Sequence, residues 1–336
     1  MARIVTVAVA GAGGHWGSKV LSNLLRLHNV RVGALLAHRT PPAELQKFVP
    51  GEDVMITRDL GRIVNRSDID AVAVATPTST HLRLALQAIE ARKHVFLEKP
   101  PAASSKDARA LAAAAARSGS IVVVDHIYLF SRHFKGMEKL IRTGAIGRPL
   151  HFVSRRANFG IFRPYSDSIS DLAYHDIYVM RRLFSTDRPM SVAATATCAF
   201  RRSFAETASF SVRFASGLTA ETSVSWFSPT KDRRIVVAGT EGIVEFRDDA
   251  KLLVHKKGIE WTGSAYSSFD RGERTVHVGE DNNPLRDVLR HFIQCVRQNR
   301  HTALCNLSEG AETVRWQEAI RKSARLGRRV RFPAPS

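Results

Sequence analysis

Short, wholly apolar runs alternate with stretches of helical periodicity over the first 125 residues. Ile4–Ala10, Val30–Leu36, Ala71–Ala75, His94–Glu98 and Ile121–Val124 read as strands. Trp16–His28, Thr80–Ala91 and the alanine-rich Ser104–Arg117 read as the helices between them, the last one ended by Gly119. Strands that are apolar throughout, rather than at every second position, are buried on both faces. Alternation with helices then predicts a doubly wound parallel sheet. After about residue 126 the pattern changes. One helix, Phe134–Arg142, stops at Gly144, and strands then follow one another: Leu150–Ala157, Val192–Phe200, Ala208–Phe214, Leu218–Ser225, Ile235–Ala238 and Ile243–Phe246. A helix is expected over Asp171–Phe184, and two more close the chain at Leu285–Gln298 and Glu309–Arg325. This second region is predicted to be an α+β domain on an open, mostly antiparallel sheet. The expected division is 1–125 and 126–336, with the final helices free to pack back on the first domain.

The first strand empties into Gly11-Ala12-Gly13-Gly14-His15-Trp16-Gly17 and a helix follows. Gly11 suits the tight turn, Gly14 lets a pyrophosphate approach the backbone, and Gly17 lets the helix close on the sheet. The N–H groups and dipole of that helix would then face the phosphates of a dinucleotide. The spacing is GxxGxxG, because Trp16 takes the third glycine place of the stricter motif; the strand-to-helix context is what gives the motif weight. NAD sites usually carry an acid at the end of the second strand, to accept the ribose hydroxyls. Here that strand runs into Ala37-His38-Arg39-Thr40. Arg39 and Thr40, with His38 beside them, fit a 2′-phosphate, so NADP(H) is the expected carrier and NAD(H) the alternative; a solvated loop is the plain reading.

Two further strands end in chemistry. Ala71–Ala75 runs into Thr76-Pro77-Thr78-Ser79-Thr80-His81, and His94–Leu97 into Glu98-Lys99-Pro100. Ligands bind outside the carboxyl ends of such strands. A lysine emerging from a buried strand is a usable proton donor or acceptor.

Composition narrows the class. The chain has 336 residues, 44% hydrophobic, which is ample for two cores. No apolar run approaches the ~20 residues of a membrane span. Three cysteines, Cys198, Cys295 and Cys305, lack disulfide or metal-ligand spacing. A cytoplasmic protein with no metal is expected. The net charge of +19 invites a nucleic-acid reading. The excess is spread along the chain, however, apart from one concentration at Arg321, Lys322, Arg325, Arg328, Arg329 and Arg331, and no reading module accompanies it. An anionic small substrate is the preferred use of that field, with no nucleic-acid or membrane partner.

Together these residues resemble the glucose-fructose oxidoreductase / inositol dehydrogenase / MocA family over nearly the whole chain. The likeness rests on the glycine turn, Thr76-Pro77…His81, Glu98-Lys99-Pro100 and a downstream Asp171-Leu172-Ala173-Tyr174-His175. It extends to Gly144-Ala145-Ile146-Gly147-Arg148-Pro149 and Gly239-Thr240-Glu241-Gly242. Asp125-His126-Ile127-Tyr128 and Asn158-Phe159-Gly160-Ile161-Phe162-Arg163 look closest to the nucleotide-sugar 3-dehydrogenase branch, although Ser170 and Tyr174 stand where Trp and Pro are expected.

The resemblance implies a Rossmann domain and hydride exchange between a nicotinamide and a sugar hydroxyl or ketone. Gly11 to Gly17, His38 to Thr40, Thr76, Pro77, His81 and Glu98 to Pro100 would hold the cofactor. His126, Tyr128, Asn158, Arg163, Asp171 and His175 would line the substrate. Asp171 and His175, at i and i+4, are expected to share a helix face. His175 would exchange the proton, Lys99 would stabilise charge on the reacting oxygen, and Asp171 would bind a neighbouring hydroxyl or orient the imidazole. Arg155 and Arg156 lie on opposite faces of one strand, and either could meet a substrate anion. The open sheet and the family both imply a homodimer or homotetramer. The competing readings are a reductase of another small carbonyl or imine and a dinucleotide-binding regulator without turnover.

Overall fold

A computed structural model describes the chain except residues 1–2, 38–39, 50–52, 160–161, 163–165, 248–250, 280–281 and 333–336. His38, Arg39 and Arg163, three of the expected site residues, lie outside the described residues. The chain forms two compact units, Met1–Ile127 with Asn283–Arg315, and Tyr128–Asn282 with Trp316–Ser336.

The first unit begins β1 (Val5–Ala10), α1 (His15–Leu24), β2 (Val30–Leu36), α2 (Pro42–Gln46), β3 (Met55–Thr57), α3 (Leu60–Val64) and β4 (Ala71–Val74). It continues α4 (His81–Glu90), β5 (His94–Leu97), α5 (Ser105–Ser118) and β6 (Val122–Val124). The six strands pair in parallel in the order β3-β2-β1-β4-β5-β6. Every residue of β1, β4 and β6 is buried, as the apolar runs predict. On one face Ala8, Ala10, Val72, Val74, Val95 and Leu97 pack with Leu84, Ala88 and Ile89 of α4 and Leu111 and Ala115 of α5. Gly119 caps α5 in the left-handed conformation, at φ +73°.

The second unit holds α6 (Arg132–Arg142), β7 (Pro149–Phe159), a π-helical turn at Ile169–Ala173, α7 (Tyr174–Leu183), β8 (Pro189–Thr197), β9 (Thr207–Phe214) and β10 (Thr219–Ser225). After these come β11 (Phe227–Gly239), β12 (Ile243–Arg247), β13 (Lys251–Trp261) and β14 (Tyr266–Thr275). The chain then supplies α8 (Pro284–Gln298) to the first unit. It ends with α9 (Leu307–Leu326) and β15 (Val330–Arg331).

α8 closes the other face of the parallel sheet, where Phe292 meets Phe96 with ring centroids 5.9 Å apart. The nine-stranded sheet runs β14-β13-β12-β11-β7-β10-β9-β8-β15 and is antiparallel except for β7 beside β10. Burial alternates along its central strands. Phe152, Phe210, Val212, Ala220 and Val224 point inward, while Val153, Arg155, Ser209, Arg213 and Glu221 are exposed on the opposite face. Among the described residues no helix is long and apolar enough to cross a membrane.

Candidate active site

β1 and β4 are neighbours in the middle of the parallel sheet, and their connections leave in opposite directions. The carboxyl ends of the strands on either side of that reversal are where ligands bind in such sheets. At this edge Gly11 adopts φ +91°, and a Cβ there would come 2.5 Å from the Ala75 carbonyl oxygen. A Cβ on Gly17 would overlap the Gly11 carbonyl oxygen, so α1 approaches the turn as closely as backbone allows. Thr40 lies over Gly13, where a Cβ would overlap its hydroxyl. Gly14 is the N-cap of α1 and offers no side chain to its first N–H groups. These donors and the helix dipole are therefore left for an anion, and Gly13, Gly14 and His15 are exposed around them. This is the cradle a dinucleotide pyrophosphate requires.

Beyond β4, Thr76 and Thr80 hydroxyls meet at 2.7 Å. His81 differs from the expectation that it touches cofactor. It is fully buried, with Nε2 2.8 Å from the Thr76 carbonyl and Nδ1 2.8 Å from that of Pro100. Both ring nitrogens are spent tying the turn after β4 to the turn after β5, and burial lowers the imidazole pKa. The Lys99–Pro100 peptide bond is cis. Pro77 and Lys99 are on the same carboxyl-terminal edge.

Glu98 and Asp125 follow the paired residues Leu97 and Val124, so they end adjacent parallel strands side by side. The two carboxyls are close enough for each to shift the protonation of the other. Burial raises the pKa of both, and the like charge across the pair raises that of Glu98 further. The Trp16 indole N–H donates to Asp125 Oδ2 at 2.8 Å. His126 is fully buried beside them.

In the second unit the expected continuous α-helix over Asp171 and His175 is not formed. Asp171 sits in the π-helical turn, and His175 is in the first turn of α7. The turn is built by Asp167, whose Oδ1 accepts the Ser170 N–H at 2.7 Å and whose carboxylate accepts the Arg321 guanidinium at 2.8 and 3.1 Å. Arg321 also bonds the Ser170 hydroxyl, and Gln317 donates to the Ile169 carbonyl at 2.7 Å. A π-turn needs such outside support because its own hydrogen bonding is poor, and such turns are frequent at functional sites. Between Asp167 and Met180 only Ser170, Asp171 and His175 are not buried. The local fold thus leaves accessible the two side chains that the motif singles out.

His175 Nδ1 lies 3.1 Å from the Tyr178 hydroxyl, which accepts the Tyr128 backbone N–H at 3.1 Å. The Tyr128 ring stands edge-on to the imidazole at 5.1 Å. Its hydroxyl accepts hydrogen bonds from Arg156 at 2.6 Å and Arg233 at 3.1 Å. Arg156 is not a free substrate anchor. It is buried and forked onto Asp176 at 3.0 and 3.1 Å, and the paired charges hold its guanidinium protonated against burial. Arg155, on the outer face, pairs with Asp232 at 2.7 Å. Asn158 is half-buried near the end of β7.

Residue pattern alone misses Tyr178, Asp125, Asp167 and Arg321. Tyr178 has a signal, three residues on from His175 along one helix. The others act across 109 and 154 residues of sequence, which no local spacing reveals.

A parallel sheet in this order, with an open glycine cradle at its reversal point, places the chain in the class of dinucleotide-dependent oxidoreductases. Residues 5–126 match the model of the oxidoreductase family with an NAD-binding Rossmann fold, and residues 134–245 match the GFO/IDH/MocA C-terminal domain. The chain belongs to the GFO/IDH/MocA family.

It is 25% identical to the uncharacterized oxidoreductase YrbE of Bacillus subtilis, over 97% of this chain and 96% of that one. It is 30% identical to inositol 2-dehydrogenase of Acidothermus cellulolyticus, over 55% of each. Its fold matches that of a levoglucosan dehydrogenase solved with NADH and L-sorbose, with a TM-score of 0.83 at 20% identity, covering 98% of this chain and 99% of the other. The chain is an NAD(P)-dependent dehydrogenase.

Proposed function

We propose that the chain exchanges hydride with a secondary hydroxyl or ketone of a sugar or nucleotide-linked sugar, with NADP(H) as preferred carrier. The observation that carries this reading is the accessible Asp171–His175 pair, raised by a supported π-turn out of an otherwise buried segment. The relatives named as inositol and levoglucosan dehydrogenases point to polyhydroxylated substrates.

A bound nicotinamide supplies the hydride acceptor or donor. Gly11 to Gly17 would seat the pyrophosphate on the α1 N-terminus, with Thr76, Pro77 and Lys99 along the same edge. His38, Arg39 and Thr40 would take the 2′-phosphate, since β2 ends without a carboxylate. His175, with Nδ1 engaged by Tyr178, exchanges the substrate hydroxyl proton at Nε2. Lys99 donates a hydrogen bond to the reacting oxygen as negative charge develops there. Asp171 binds a neighbouring hydroxyl. Tyr128 and Asn158 would line the sugar, with Arg163 assigned there from the sequence alone, whereas His126 is fully buried; the nucleotide-sugar 3-dehydrogenase likeness rests on these stretches of sequence.

The test is NAD(P)H absorbance during turnover of a panel of polyols, aldoses and nucleotide sugars, with both carriers titrated separately by fluorescence. Turnover of a polyol or sugar and tighter NADPH than NADH binding are expected. Equal or tighter NADH binding would overturn the carrier assignment. Reaction only with small carbonyl or imine compounds would overturn the substrate class.

A further inference from the structure

The Glu98 and Asp125 carboxyls have a feature the reaction above does not use. Glu98 Oε2 and Asp125 Oδ1 are both sealed from solvent, and among the described residues no N–H or O–H group donates to either. Two carboxyl groups placed side by side, each with a sealed oxygen that receives no donor, are not both ionised, because nothing at those oxygens offsets the repulsion. This placement calls for a proton on the pair. The oxygen on the other side of Asp125 is committed to Trp16, through the 2.8 Å indole hydrogen bond. Trp16 is the second residue of α1, two positions beyond the Gly14 N-cap. A continuous chain of contacts therefore runs from the end of β5, through the end of β6, to the helix whose N-terminus forms the dinucleotide cradle.

We propose that Glu98 and Asp125 share one proton in the resting protein, and that this pair positions Trp16, and through it the glycine turn, for the dinucleotide. Each member has a separate job. Asp125 accepts the indole N–H, and Glu98 carries the proton that lets a second buried carboxyl stand beside it. Lys99, next along the chain from Glu98, has a charge that acts on both carboxyls and offsets the single negative charge left on the pair. The imidazole of His81, within range of the same Lys99, is kept neutral by burial. Asp125 and Glu98 are positioning residues here. The inference rests on the glycine turn being the dinucleotide site.

Infrared spectroscopy of the full chain at pH 8 tests the shared proton directly, since exposed carboxyls are then ionised. A carboxylic-acid C=O band is expected in the wild type and in Lys99→Met, and is expected to vanish in Asp125→Asn and in Glu98→Gln. Its absence from the wild type would overturn the shared proton.

Positioning is read by NADPH and NADH titration, with circular dichroism confirming that each variant folds. Asp125→Leu and Trp16→Phe are expected to weaken binding at least tenfold. Asp125→Asn, whose carbonyl still accepts the indole N–H, should stay within about threefold of wild type. Folded Asp125→Leu and Trp16→Phe proteins that bind like wild type would overturn the positioning role. Should the wild type bind neither dinucleotide, the reading of the turn fails and the positioning role with it. The infrared band still decides the shared proton in that case.

Discussion

At the scale of single residues, two buried charge arrangements have opposite consequences for stability. Glu98 and Asp125 are raised above the ordinary carboxylate range by burial, so the folded chain keeps a proton that the unfolded chain releases near pH 4. The pair costs nothing below that pH, and it destabilises progressively as pH rises toward the folded-state value. Asp125→Asn removes one ionisable group and keeps an acceptor for Trp16. It is expected to melt a few degrees above wild type at pH 8, with the gap closing toward pH 4. A gap that is constant with pH would show that no raised carboxyl is present.

Arg156 and Asp176 are a satisfied pair, 3% and 0% exposed. Breaking such a pair strands a buried charge, a loss of about 3–5 kcal/mol, whereas exchanging both partners for apolar groups of similar size costs far less. Asp176→Leu should therefore lower the melting temperature sharply, and Arg156→Met/Asp176→Leu should recover much of it. A double variant as unstable as the single would contradict this account.

Among elements, α1 and the turn before it depend on contact without side chains. Gly17→Ala would push a methyl group into the Gly11 carbonyl oxygen, and overpacking of backbone costs about 1–3 kcal/mol. A melting temperature several degrees lower and at least tenfold weaker dinucleotide binding are expected. Unchanged binding would show that the turn tolerates a wider gap than its geometry allows.

The same close packing explains what sequence reveals. Val5–Ala10 and Ala71–Val74 are buried at every position, so composition alone marks them as central parallel strands. The paired strands Thr207–Phe214 and Thr219–Ser225 alternate and read as half-covered. β13 and β14 give no such signal, because most of Tyr266–Thr275 is exposed and the pairing, not burial, holds it extended. α2, β3, α3 and β15 are each five residues or fewer, too short for a period to show. α1 stops at Leu24 rather than near His28, and Asn29 then turns the chain at φ +63°. The π-turn under Asp171 is set by Asp167, Arg321 and Gln317. The sequence spacing singles out two residues that the fold leaves accessible, although a π-turn and not a continuous α-helix places them.

For the molecule as a whole, the nine-stranded sheet leaves one face outward, where Val153 is 37% exposed between Arg155 and its cross-strand neighbour Glu221. A second copy of the chain covering this face is the arrangement we propose. Sedimentation equilibrium should give a dimer or tetramer, and Val153→Lys should shift it toward monomer; a wild-type monomer at micromolar concentration would contradict it.

The central claim is that Lys99 and His175 carry the proton and charge changes of one hydride transfer. It is tested most directly by steady-state turnover of Lys99→Met and His175→Ala on the best substrate of the wild type, with dinucleotide affinity measured alongside. Each variant is expected to fold and bind the dinucleotide while kcat falls at least ~10²-fold, the contribution of an acid–base group. Near-normal turnover by either variant would contradict the account.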